Sequence, residues 1–199
     1  MATGLDRPFG FEVWDELIRS NLYAVPTAPT IGIYHNDIVR HGGAHLSTAK
    51  GGHLPIVEDG AVPDGNAALL GTVLAIFDEN MDPVSRIIPA ETGDSTVAGY
   101  VMVADSPDQL FVAQEDSDSN AITLTEGGQN ADLVSVALCA GTATTGISTQ
   151  EIDSDTAGTG AALNLKIVRP HPKDTPTEDY CRYIVQINEH YYGDTMAGL

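Results

Sequence analysis

Tyr180-Cys-Arg-Tyr-Ile-Val-Gln-Ile-Asn188 is the stretch that decides the fold. Cys181, Tyr183, Val185 and Ile187 alternate with Arg182, Gln186 and Asn188. A period of two belongs to a strand with one face toward the core and the other toward solvent. Ile184 interrupts the polar set and is expected to touch a neighbouring element. Upstream, Leu69-Leu-Gly-Thr-Val-Leu-Ala-Ile-Phe77 is apolar on both alternating sets, as a strand buried on both faces is.

Working outward from these two, short strand-like runs recur along the chain. They are Ile31–Tyr34 and Ile38–His41 around an Asn36–Asp37 turn, Leu54–Val57 before Glu58-Asp59-Gly60, and Val84–Ile88. Tyr100–Ala104 and Leu110–Gln114 follow, joined through Ser106-Pro107-Asp108, a spacing that reads as a hairpin. Leu133–Leu138, Ile147–Ile152 and Leu163–Val168 complete the set. Some ten closely spaced strands predict a mostly-β chain folded as a single β-barrel or sandwich-like, tulip-type domain over residues 31–199. Twenty glycines and eleven prolines suit such turns better than long helices.

Residues 1–30 differ. Phe11, Trp14, Leu17 and Ile18 share a face at helical spacing, with Glu12, Asp15 and Glu16 near the start. This segment is expected to form a short amphipathic helix or an extended arm, and either needs a surface to lie on.

The net charge of −19 disfavours phosphate backbones and anionic membranes, because nucleic-acid affinity comes from cations that displace counterions. Between Arg86 and Lys166 there is no Lys, Arg or His, while Glu91 to Asp155 supplies twelve carboxylates. No apolar run reaches the roughly 18 residues of a membrane span, and Met1–Gly10 lacks the layout of a signal peptide. The two cysteines, Cys139 and Cys181, form no disulfide framework and are expected to be buried thiols.

Candidate chemistry is sparse. His35, His41, His45 and His53 gather near Gly42-Gly43 and Gly51-Gly52, which reads as a loop rather than a helical zinc face. Asp116, Asp118 and Asn120 resemble the opening of a calcium loop, but Ala121 stands where Gly is needed and Gly127 where Glu is needed. Glu151, Asp153 and Asp155 would share one face of a strand. There is no Gly-x-Ser-x-Gly elbow, and the Gly-, Ser- and Thr-rich run from Gly141 to Gly160 has no phosphate-binding fingerprint. Neither enzymatic activity nor a cofactor or metal is expected.

Several blocks, in order, resemble the capsid decoration (cement) proteins of tailed bacteriophages. They are Arg7-Pro-Phe-Gly-Phe, the run from Gly99-Tyr-Val-Met-Val to Gln114-Glu-Asp-Ser-Asp, and Asn130-Ala-Asp-Leu. Thr144-Thr-Gly-Ile-Ser, Glu151-Ile-Asp-Ser, Leu165-Lys-Ile-Val-Arg-Pro and Tyr183-Ile-Val-Gln-Ile-Asn-Glu-His continue the series. The likeness spans most of the chain, with Glu12–Pro29 fitting least well. It implies a structural virion protein, made in the host cytoplasm, on the outer surface of the icosahedral head. Its partner would be the major capsid protein, and it would self-associate as a dimer or trimer. Phe9, Phe11 and Trp14 are then the candidate capsid-binding anchors, since aromatics dominate interfaces; the alternative role for all three is packing on the β-body. A receptor- or glycan-binding β-domain of a virion or adhesin is the rival function.

Overall fold

The structure, a computed structural model, describes residues 6–26, 32–48, 52–59, 68–87, 97–116, 122, 128–134, 145–175 and 178–193. Among these there are fourteen strands and no helix, in chain order: β1 Glu12–Val13, β2 Ser20–Pro26, β3 Ile33–Tyr34, β4 Ile38–Thr48, β5 Gly52–Asp59, β6 Leu69–Phe77, β7 Pro83–Val84, β8 Arg86–Ile87, β9 Val97–Ala104, β10 Leu110–Gln114, β11 Asn130–Leu133, β12 Ile152–Gly158, β13 Leu165–Pro170 and β14 Arg182–Ile187. They form two six-stranded sheets in a sandwich-like domain. The first has the order β1-β10-β14-β13-β11-β12, the second β4-β5-β2-β9-β6-β7, and β3 and β8 make a separate pair.

Each sheet carries one further pairing beyond its simple strand order. In the second, the long β4 pairs with β6 through Ile38–Arg40 as well as with β5. In the first, Glu115 just beyond β10 bridges to Ile152 at the start of β12. Such pairing satisfies backbone groups that would otherwise face solvent unpaired.

The alternation of β14 holds. Cys181, Tyr183, Val185 and Ile187 point into the core of the first sheet, with Phe111, Ile152, Leu165 and Ile167 around them. Ile184 is also fully buried, on the opposite face. β6 has the predicted bounds, and its Val73 and Ile76 join Tyr23, Val25, Val101 and Val103 in a second core within the other sheet. A third apolar cluster, built on Ala24, Ile56, Val97 and Tyr100, covers the reverse face of that sheet. Ile38, Leu69 and Ala104 of the second sheet reach the first sheet's core and join the two.

Three expectations are corrected, and one that stood between two forms is decided. Of the two forms expected for residues 11–18, a short helix or an extended arm, the extended one is found: β1 pairs with β10, and Asp15 has φ of 67°, which no right-handed helix accommodates. Pairing with the open edge of β10 satisfies backbone groups that a marginal helix would leave to water. Within the same N-terminal segment, β2 lies inside the second sheet between β5 and β9.

The predicted hairpin of β9 and β10 is instead a passage between sheets. β9 is flanked by β2 and β6, and β10 by β1 and β14, although Gln109 N–H still closes the turn on Ser106 O at 3.1 Å. Finally, His41 and His45 belong to β4, where the ladder with β5 shifts between them. Gly43, at φ of 73°, accommodates that bulge, and a Cβ on Gly42 would stand 2.7 Å from the Ile56 side chain.

The strand expected over 147–152 begins only at Ile152. Ahead of it, the Gln150 amide replaces the ladder, accepting from Ile38 N–H at 2.6 Å and donating to Ile38 O at 3.3 Å.

Candidate functional site

The N-terminal segment lies along the first sheet and is fastened at nearly every step. Phe11 N–H donates to Asn36 O at 2.8 Å, and Phe11 O accepts from Thr72 Oγ1 at 2.7 Å. Trp14 N–H donates to Leu110 O at 2.9 Å. The buried Gln109 amide then spans the next turn, accepting from Ile18 N–H at 2.9 Å and donating to Glu16 O at 3.2 Å. Gly10 passes so close to Asn36 O and Ser148 that a Cβ would sit 2.4 Å from each.

This course separates the three candidate aromatics. Phe11 has no exposed surface and belongs to the first core, so in this conformation it packs on the body and is no free anchor. Phe9 and Trp14 are half-buried on the surface. Trp14 meets His171 edge-to-face, with centroids 5.2 Å apart, and the Arg169 guanidinium lies 6.0 Å from its ring centre. Leu17 and Ile18 are 44% and 56% exposed, the second the most exposed of the large apolar side chains described.

Phe9 lines a cleft of about 350 Å³ between this segment and the β13–β14 connection. Arg7, Lys173 and Arg182 also line it, three of the nine cations in the chain, facing Asp174, Glu178 and Asp179. Asp174 grips Arg182 with both oxygens, at 2.8 Å to Nε and 2.6 Å to a terminal nitrogen. Those bonds hold the Asp174 carboxyl below the usual aspartate range and raise Arg182. Burial lowers His171, with Arg182 adding to the effect, so it is a neutral partner for Trp14 near pH 7. Cys181 in the same wall is buried, and burial pushes its thiol up to about 11, which removes it as a nucleophile at neutral pH.

The other sequence candidates do not converge. His41 and His45 stand 6.1 Å apart between centroids, His41 stacks on Tyr191 at 4.3 Å, and its Nδ1 accepts from Gly43 N–H at 2.9 Å. His35 and His53 are exposed elsewhere. Among the described residues no three His, Cys, Asp or Glu side chains gather to hold a metal. Of the acidic run, Asp116 Oδ1 accepts from Ser154 N–H and Oγ, at 3.1 and 2.9 Å, and residues 117–120 lie outside the described residues, as does Cys139. Asp153 and Asp155 alternate with the buried Ile152 and Ser154 on β12, while Glu151 precedes the strand and its Oε1 accepts from Gln114 Nε2 at 3.5 Å.

Reasoning from sequence missed Arg169 and His171 as the partners of Trp14. They lie some 155 residues away along the chain, and no local pattern signals the contact. No family model matches the chain, and no curated protein or solved structure matches it.

Proposed function

We propose that this chain is a non-catalytic structural protein of a tailed-phage virion, binding the outer surface of the icosahedral head between major capsid proteins and stabilising it. One observation carries the reading. A segment hydrogen-bonded to the β-body at Phe11, Trp14 and Ile18 leaves the Leu17 and Ile18 side chains in water. Leu17 and Ile18 are 44% and 56% exposed, so burying the rest of each in an interface contributes about 1 kcal/mol, and a small ridge repeated over a lattice is worth much in sum. The acidic remainder of the surface keeps particles apart. Binding only the assembled lattice stabilises it by mass action, and self-association as a dimer or trimer on local symmetry axes belongs to the same proposal.

The test is to add the purified chain to decoration-free heads and follow occupancy and head melting. The expected result is binding at a copy number comparable to the lattice positions, with a raised melting temperature. A Leu17→Ser/Ile18→Ser variant should bind at least about tenfold more weakly, corresponding to about 1.4 kcal/mol, with unchanged thermal stability in solution. Occupancy far below the lattice copy number overturns the reading. The rival glycan-binding reading, if calcium-dependent, draws less support, because Asp116 is already committed to Ser154.

A further inference from the structure

Charge is laid unevenly over the outer face of the first sheet, the side turned away from its core. Ala131, Leu133, Leu165, Ile167, Cys181 and Val185 point inward, so the residues alternating with them point out. Lys166 opposes Gln186 on β14 and Asn130 on β11, and Arg169 opposes Ile184. Arg182 opposes Gln114 on β10. At the far edge, Asp132 opposes Asp153 on β12, and Asp155 follows on the same side. Three cations therefore lie on β13 and β14 and three acids on β11 and β12, with the neutral Asn130 between Lys166 and β12.

The positive pole is carried by two residues. Arg182 is held by Asp174 and lies near Glu12, which leaves Lys166 and Arg169. Both are exposed, and neither makes an ion pair among the described residues. Val168, next to both in sequence range, is 39% exposed and adds an apolar contact. The chain has 28 acids against 9 Lys and Arg, so a face with both signs in equal number stands apart from the rest of the surface.

We propose that this face binds a second copy of the chain, turned by a two-fold axis so that Lys166 and Arg169 of each copy meet Asp153 and Asp155 of the other. A partner of one charge sign would satisfy one pole and oppose the other. A second copy satisfies both poles at once, and does so twice. The general repulsion between two chains of charge −19 acts over a distance and is screened beyond about 10 Å in 0.1 M salt, whereas charges in contact are screened less. Four strands spaced about 4.8 Å apart make a small interface, so the dimer is a weak one, with a Kd of about 10–100 µM. The pairing gives a surface to the self-association proposed above and rests on that part of the reading alone.

Sedimentation of the full chain and of two charge-reversed variants tests it. Wild type should show a monomer–dimer equilibrium at about 1–500 µM in about 0.15 M NaCl. Lys166→Glu/Arg169→Glu turns the face acidic, and Asp153→Lys/Asp155→Lys turns it mostly basic. Each alone should self-associate at least about tenfold more weakly, and the two mixed should form a heterodimer at least as tight as the wild-type dimer. Asp153→Lys/Asp155→Lys also makes the chain less negative, so general repulsion by itself would give tighter association, the opposite result. Should Arg169→Glu unsettle the neighbouring Trp14, seen as a lowered melting temperature, Lys166→Glu alone takes its place. Wild type that stays monomeric at about 500 µM overturns the pairing. So does an acid-to-lysine variant that associates as well as wild type, or a mixture that stays monomeric. A monomeric chain that still decorates heads sinks the pairing and leaves capsid binding standing, and a dimer of this pattern that ignores heads does the reverse.

Discussion

Asp105 shows how a single buried carboxylate is held in place. It is fully buried, yet Arg19 Nε donates to it at 2.8 Å, Asn21 Nδ2 at 2.8 Å and Tyr23 Oη at 2.6 Å. Burial raises its pKa, but the bonds from Tyr23, Asn21 and Arg19 outweigh burial and leave it lowered. A lowered value means stability present above the unfolded pKa and lost as pH falls through the folded one. Asp105→Ala should cost about 1–3 kcal/mol at pH 7, since it removes the charged acceptor of the buried Tyr23 hydroxyl and the partner of the more exposed Arg19 and Asn21. In denaturant titrations the gap from wild type should narrow below about pH 4. Gly71 is a steric counterpart: a Cβ there would lie 1.8 Å from Ala104 O, a backbone atom that cannot swing aside. Gly71→Ala should cost about 3 kcal/mol or more, measured by the denaturant midpoint, or prevent folding.

Among elements, the N-terminal segment is the most informative. It is a strap whose one deep anchor is Phe11 and whose outer side carries Trp14, Leu17 and Ile18. The two sides are separable by mutation. Phe11→Ala should lower stability by about 3–5 kcal/mol in equilibrium unfolding, as loss of a core aromatic does. The Leu17→Ser/Ile18→Ser pair should leave stability nearly unchanged, because both side chains already face water. Little of this division was legible beforehand. The apolar spacing 11-14-17-18 fits one helix face, and only the available edge of β10 makes the extended form the better hydrogen-bonded one. The passage between β9 and β10 was misread for a related reason: a turn fixes where the chain reverses, and strand edges elsewhere decide what it pairs with.

At the scale of the whole molecule, two opposing titrations bracket stability. Asp105 and Asp174 are lowered and withdraw support in acid, while Glu115 and Glu151 are raised to about 7 and about 8 and withdraw it in base. Melting temperature followed across pH should therefore peak near about pH 4–5 and decline on both sides. The charge of −19 adds general repulsion, so raising NaCl from about 0.02 to 0.5 M should increase the melting temperature by a few degrees. A flat salt response would show that the acids are too dispersed to repel one another.

By itself the sequence determined the class of the molecule and the inward faces of its best strands. Cys181 to Ile187 and Leu69 to Phe77 carry that information locally, since strand periodicity needs no knowledge of neighbours. Where Phe9 and Trp14 lie on the surface, which of the three aromatics is buried, and the burial of Glu115 were decided only by tertiary structure. Burial, pairing edges and the pKa of an acid depend on residues far away in the chain. In a fold whose sheets close through strands distant in sequence, those are the contacts that local pattern does not encode.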